Sequence, residues 1–192
     1  METFAEYKSN TEEKPDKLYC LVGPSGTGKT TVAKKLWEDG HNVIQSFTTR
    51  PRREAAEWGH IFLNIPPECV DDYISAQRYT PISRTVYDGH MYFAVTEQIH
   101  GDTVFVVDLP GVEEILKNLK RSDVVIINLI ADCGIRGYRM KEQGRSTEDI
   151  IGRVEYDSKV FRIVRADWVV DTTDLDEDDV ARLVKGIIRM GG

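Results

Sequence analysis

Gly23-Pro24-Ser25-Gly26-Thr27-Gly28-Lys29-Thr30 carries the spacing G-x-x-x-x-G-K-[ST], and its flanks decide what that spacing means. Upstream, Leu18-Tyr19-Cys20-Leu21-Val22 is a short apolar run that reads as a buried strand. Downstream, Val32, Ala33 and Leu36 recur at helical intervals over residues 31–39, and Gly40 follows as a C-terminal stop. Strand, glycine turn and helix start make a phosphate cradle. Glycines let successive backbone N–H groups converge on an anion, and the helix dipole adds partial positive charge. In this motif Gly23, Ser25, Gly26, Thr27 and Gly28 shape the cradle. Lys29 reaches the β- and γ-phosphates, and the Thr30 hydroxyl sits on Mg²⁺. The stretch predicts binding of a nucleoside triphosphate.

The remainder of the chain fits around that unit. Its 192 residues suffice for one domain with a real core and a small insertion. A formal net charge of −7 argues against a broad nucleic-acid or anionic-membrane surface, so anions must be held by local Arg and Lys clusters. Cys20, Cys69 and Cys133 lie far apart with no C-x-x-C spacing, which suits reduced structural thiols in a cytoplasmic protein. No apolar run is long enough to span a bilayer, and the N-terminus lacks an apolar signal region. Small-molecule nucleotides are the expected partners, with monomer and homodimer both open.

Residues 1–16 read as a polar tail or a short docked helix, and residues 17–192 as the domain. Asn42-Val43-Ile44 is a second strand. Residues 59–63 read as a strand, residues 66–77 as a helix opened by two prolines, and residues 78–93 as two strand-like pieces around Tyr87-Asp88-Gly89-His90. A short helix is expected over residues 95–100. From Thr103 a strand, a helix over residues 112–119 and a strand over residues 124–130 restore an α/β rhythm. An Arg-rich helical region over residues 135–164, broken near Gly144, precedes the last strand at Trp168-Val169-Val170 and an amphipathic helix over residues 176–190. Continuous apolar strands alternating with helices imply a parallel sheet covered on both faces, and the strand-rich interval 53–93 interrupts it.

Three further constellations carry chemistry. Arg50, Arg52 and Arg53 follow the second strand, near the sheet edge where open α/β folds bind ligands. Arg presents a planar fork that fits phosphate, so a second phosphate site opposite the loop is the sharper reading over a solvated basic turn. Arg136, Arg139, Lys141, Arg145 and Arg153 form either a wet helical face or a lid that brings cations over a transferring phosphoryl group. Asp108 ends a buried strand, where a carboxylate holds Mg²⁺ or accepts hydrogen bonds from a nucleobase; a purely structural role is the less expected one. His41, His60, His90 and His100 show no metal-ligand spacing.

Gly23-Pro24-Ser25-Gly26-Thr27-Gly28-Lys29, Ser46-Phe47-Thr48-Thr49-Arg50-Pro51-Arg52-Arg53, Gly89-His90-Met91-Tyr92 and Asp108-Leu109-Pro110-Gly111 occur in the order and at the spacing of one known family. From residue 18 to the C-terminus the chain resembles the guanylate kinases. The resemblance implies a P-loop NTPase-type fold with a core over 17–52 and 94–192. It adds an inserted monophosphate-binding subdomain over about 53–93 and an Arg-rich lid over about 135–155. It further implies ATP-dependent phosphoryl transfer to a nucleoside monophosphate, GMP or dGMP first, with Mg²⁺ as cofactor. By position, Arg50, Arg53 and Tyr92 match residues on the acceptor phosphate, Ser46 and Asp108 match residues near guanine, and Arg145 and Arg153 match lid arginines acting with Lys29.

The departures fall on the base. Ser83 stands where the family reads guanine with a glutamate, Phe93 and Ala94 replace a glycine and a serine, and His60 or Phe62 replaces a tyrosine. A serine cannot satisfy two adjacent guanine N–H donors as a carboxylate does. A same-fold kinase for another nucleotide or a phosphorylated sugar is therefore one alternative. A non-catalytic module binding a phosphopeptide at Arg50 and Arg53 is another.

Overall fold

The computed structural model describes residues 16–53, 55 and 57–192. The tail expected over residues 1–16 lies, but for Asp16, outside the described residues. β1 (Leu18–Val22) occupies the centre of a five-stranded parallel sheet. The order is β2 (Asn42–Ile44), β7 (Thr103–Val106), β1, β8 (Val124–Ile130), β9 (Trp168–Asp171). Both faces of β1 are covered, so its five residues are all apolar and buried. Tyr19 and Leu21 face the layer of α1 (Lys29–Glu38) and α6 (Glu177–Met190), whereas Leu18, Cys20 and Val22 face that of α3 (Leu109–Asn118). Burial pushes the Cys20 thiol up to about 12, which makes it an inert packing group.

α1 closes by a Schellman motif. Gly40, at φ +88°, donates to the Trp37 carbonyl, and His41 donates to the Leu36 carbonyl at 2.9 Å.

A second, mixed sheet of four strands has the order β4 (His60–Phe62), β3 (Ser46–Thr48), β6 (His90–Val95), β5 (Pro81–Tyr87). Its own core stacks Phe47 on Phe93 at 4.8 Å and takes Val70 and Ile74 from α2 (Val70–Gln77). Asp88 (φ +50°) and Gly89 (φ +73°) are both left-handed, the signature of a two-residue hairpin between β5 and β6.

Several expectations are corrected. Ser46-Phe47-Thr48 is a strand of this second sheet, so the sheet begins before Arg53. The helix expected over 95–100 is one 3₁₀ turn, Thr96–Gln98, because β6 runs to Val95 and pairs with Pro81. The helix expected from residue 112 starts at Leu109, because Asp108 caps it and Pro110 suits its first turn. The break expected near Gly144 in the Arg-rich region is borne out: two helices, α4 (Cys133–Glu142) and α5 (Thr147–Val160), flank Gly144 at φ +78°.

Candidate active site

The carboxyl ends of β1 and β7 place the glycine loop and Asp108 on one edge of the sheet, facing the second sheet. The intervening cleft encloses about 330 Å³. Gly23, Ser25 and Lys29 line one end, Ser46, His60, Ser83 and Tyr92 the other, with Asp108, Arg153 and Asp157 on its walls.

The loop needs its glycines. Gly23 sits at φ +140°, and a Cβ there would lie 2.1 Å from the Leu129 carbonyl oxygen. Gly26, at φ +81°, would put a Cβ 2.7 Å from the Arg136 carbonyl oxygen. Asp108, Asp132, Ser146 and Asp176 each cap the start of a helix with a side-chain oxygen. α1 differs: Gly28 offers no side-chain cap, and its first turn holds no acidic residue. Its amino end thus keeps the N–H groups and positive dipole that suit an anion.

Lys29 donates to the Gly23 and Pro24 carbonyls, each at 2.7 Å. Burial pushes its ammonium down to about 8, opposed by the Asp157 carboxylate and helped by the charges of Arg136 and Arg145. Thr27 is buried and donates to the Pro24 carbonyl. Thr30 is exposed on the first turn of α1. Among the described residues no group of His, Cys, Asp or Glu side chains forms a metal site of its own.

Next to Tyr92 but outside the cleft lining, Arg50 is buried and makes four hydrogen bonds with its five N–H groups. Its Nε donates to the Tyr92 hydroxyl at 3.0 Å, Nη1 to the Pro51 carbonyl at 2.8 Å, and Nη1 and Nη2 to the two carboxylate oxygens of Glu57 at 3.3 and 2.5 Å. Glu57 also accepts the Arg53 backbone N–H at 2.8 Å. The Arg53 side chain is exposed, and Arg52 stacks over the Phe62 ring at 4.5 Å. Ser46 Oγ and His60 Nδ1 lie 2.8 Å apart. Burial first, and the Arg50 charge second, hold His60 below its ordinary value, so the imidazole is neutral at pH 7.

Asp108 is structural as well as cleft-facing. Its Oδ1 accepts the Gly111 N–H at 2.8 Å and caps α3. The residue is nevertheless exposed and lines the cleft. Ser83 is buried beside it, paired across strands with buried Ala94, so the position opposite Asp108 is neutral.

The Arg-rich residues separate in space. Arg153 lines the cleft and lies over the Tyr87 ring at 5.5 Å. Arg145 pairs with Asp149 at 3.2 Å, at the amino end of α5 and off the cleft lining. Arg139 is tied to Thr172 and Leu175 after β9. Arg136 is buried against Ser25 and Asp157. Sequence reasoning missed Glu57 and Asp157. Only the spacing of Asp157, four residues beyond Arg153 on one helix, marks it for the same face.

A glycine cradle in the middle of a parallel sheet, facing a second sheet with its own engaged arginine, defines a P-loop α/β fold with a two-ended cleft. No protein-family model matches the chain. Curated proteins do. It is 30% identical to the guanylate kinase of a Polaromonas species over 146 residues, which covers 71% of this chain and 69% of that one. It is 23% identical to the guanylate kinase of Thermotoga maritima over 182 residues, 90% and 86% of the two chains. A uridine kinase from Anoxybacillus flavithermus is 28% identical over 152 residues, 68% and 71% of the two. Among solved structures, the guanylate kinase of Anaplasma phagocytophilum shares the fold, with a TM-score of 0.60, 22% identity, and coverage of 91% and 85%. The chain belongs to the guanylate kinase family.

Proposed function

We propose that the protein transfers the γ-phosphoryl group of ATP to a nucleoside monophosphate, with GMP or dGMP as the leading acceptors. One observation carries the reading: a single cleft is lined by the glycine loop with Lys29 at one end and by Ser46, His60 and Tyr92 at the other, where Tyr92 holds Arg50. A donor phosphate at the loop and an acceptor phosphate at Arg50 would meet across it. The acceptor phosphate oxygen forms the new P–O bond to the γ-phosphorus as the bond to ADP breaks. No general base is required, because positioning and charge stabilisation do most of the work.

The loop amides and Lys29 would bind the donor phosphates, and the Thr30 hydroxyl would help to hold Mg²⁺. Mg²⁺ supplies charge neutralisation on the transferring group. Arg50, oriented by Glu57 and Tyr92, offers the acceptor phosphate its charge and the one Nη2 N–H that Glu57 leaves, with Arg53 beside it. Arg153, on the cleft wall, would cover the transfer zone from α5, and Arg145, paired with Asp149 off the cleft lining, would join it by a movement of the α4–α5 arm. Ser46 and Asp108 face the base.

A second reading, a different acceptor, is favoured by the neutral Ser83 and Ala94 beside Asp108. Phosphorus NMR of MgATP with GMP tests the proposal: GDP and ADP appear in equal amounts with the wild type, and Lys29→Ala loses most of that turnover. Turnover untouched by Lys29→Ala would refute the mechanism. ADP formation with other monophosphates but not GMP would establish the second reading.

A further inference from the structure

Asp157 is a buried carboxylate for which the mechanism above has no use. It lies on α5, 4% exposed, on the wall of a cleft built to hold phosphates. A carboxylate in such a place repels the ligand and is expensive to bury unless its oxygens are bonded. Here one of them, Oδ2, is bonded to the phosphate loop itself. Asp157 Oδ2 accepts the Ser25 N–H at 2.7 Å, a contact across 132 residues of sequence. The same oxygen takes Arg136 Nη1 at 3.4 Å, and that guanidinium nitrogen also donates to the Ser25 carbonyl at 3.4 Å. One buried acid–base pair, with one member on α4 and one on α5, therefore grips the backbone of Ser25 by both its N–H and its C=O.

The grip adds to a brace that the rest of the loop supplies from within. Ser25 and Gly26 form the outer bend of the cradle, and the Arg136 carbonyl already packs on Gly26 closely enough to exclude a Cβ. From within, Thr27 Oγ1 braces the loop through the Pro24 carbonyl, and the Lys29 ammonium braces it through the Gly23 and Pro24 carbonyls. Asp157 holds the Ser25 peptide from the other side.

We infer that Asp157 is a positioning residue for the donor phosphates: through the Ser25 N–H and Arg136 it fixes the bend of the phosphate loop and docks the α4–α5 arm on it. The proposal rests on the phosphate-loop reading given above. It makes the root of α5 a fixed point, so that any movement of Arg145 must pivot about Asp157 rather than carry the whole helix away.

The test compares wild type, Asp157→Asn and Asp157→Ala. The quantities are MgATP affinity by calorimetry, the KM values for MgATP and acceptor, and the melting temperature. Asn keeps an oxygen for the Ser25 N–H; Ala does not. Asp157→Ala is expected to weaken MgATP by about 10- to 100-fold, the worth of a charge-assisted hydrogen bond, while the acceptor KM stays within about 2-fold of wild type. Asp157→Asn is expected to recover most of that loss. Equal rises in both KM values would indicate general loosening and overturn the proposal. So would tighter MgATP binding by Asp157→Ala, which would show a carboxylate competing with phosphate, and so would an Asn variant no better than Ala. If Asp157→Ala fails to fold, Asp157→Asn decides: MgATP affinity within about 3-fold of wild type supports the proposal and a 10-fold loss overturns it. Absence of MgATP binding by the wild type would instead refute the phosphate-loop reading itself.

Discussion

Arg50→Lys separates charge from geometry at the acceptor end of the cleft. Arg50 spends its fork on both oxygens of Glu57 and its Nε on the Tyr92 hydroxyl, three directions set by one rigid plane. A lysine keeps the charge but has a single nitrogen, so it can serve only one of these partners at good geometry. One charged hydrogen bond to Glu57 is lost, and so is the one Nη2 N–H left over for an acceptor phosphate. Each is worth about 1.5–3 kcal/mol. If about 2–3 kcal/mol of that is felt in the transition state, the acceptor kcat/KM falls by roughly 30- to 150-fold, at about 1.4 kcal/mol per factor of ten. Loss of the Glu57 contact also lowers the melting temperature by a few degrees, at about 2–4 °C per kcal/mol for a chain of this size. Coupled ADP release with the acceptor varied at saturating MgATP, then with MgATP varied at saturating acceptor, measures both arms. The loss should sit in the acceptor arm. An acceptor kcat/KM within about 3-fold of wild type, or an equal rise in the MgATP KM, would refute the assignment of Arg50.

Asp108→Asn retains a side-chain oxygen to cap α3 and should leave the melting temperature nearly unchanged while raising the KM for GMP; Asp108→Ala should add about 1 kcal/mol of destabilisation from the lost cap. Thermal melts and acceptor kinetics on the pair separate the capping and base-facing roles of that carboxylate. With Lys29 at about 8 in the free protein, kcat/KM for MgATP should hold up to that pH and decline above it as the ammonium deprotonates, a limb seen in a pH–rate profile. His60 is held below its ordinary value, so the folded form stays neutral while the unfolded chain takes up a proton. Stability should then fall as pH drops through about 6.5, and His60→Gln should flatten that part of a melting-temperature profile. Leu36→Ala empties a fully buried site between α1 and α6 and should cost about 2–5 kcal/mol in denaturant unfolding.

The parallel sheet was legible because β1 and β8 are apolar along almost their whole length and each precedes a helix with its own stop or cap. The loop was legible because its glycines, Lys29 and Thr30 occur at a spacing tied to a strand on one side and a helix on the other. β3 was not seen as a strand, since a three-residue stretch running into Thr48-Thr49 carries too little pattern to be told from the loop it enters. The cap at Asp108 could have been read, because an Asp two residues before Pro110 is a helix-start signal, but the cleft-facing carboxylate drew the reading toward function. Glu57 and Asp157 were out of reach for a different reason. Each owes its role to a partner: Arg50 across a turn for Glu57, and Ser25 across 132 residues for Asp157. Charge on a helix face looks the same in sequence whether it meets water or a phosphate loop, so Arg136 and Arg153 could not be sorted before their contacts were known.

Phosphoryl transfer across the cleft is tested most simply by ADP release from MgATP against GMP, dGMP, AMP, CMP, UMP, dTMP and ribose 5-phosphate, with Lys29→Ala measured alongside. Turnover with GMP or dGMP should run ahead of the others, at a rate that Lys29→Ala abolishes. Silence across the panel from a folded protein would contradict the transfer mechanism, and would turn attention to a cleft that binds a phosphorylated group at Arg50 without transferring one.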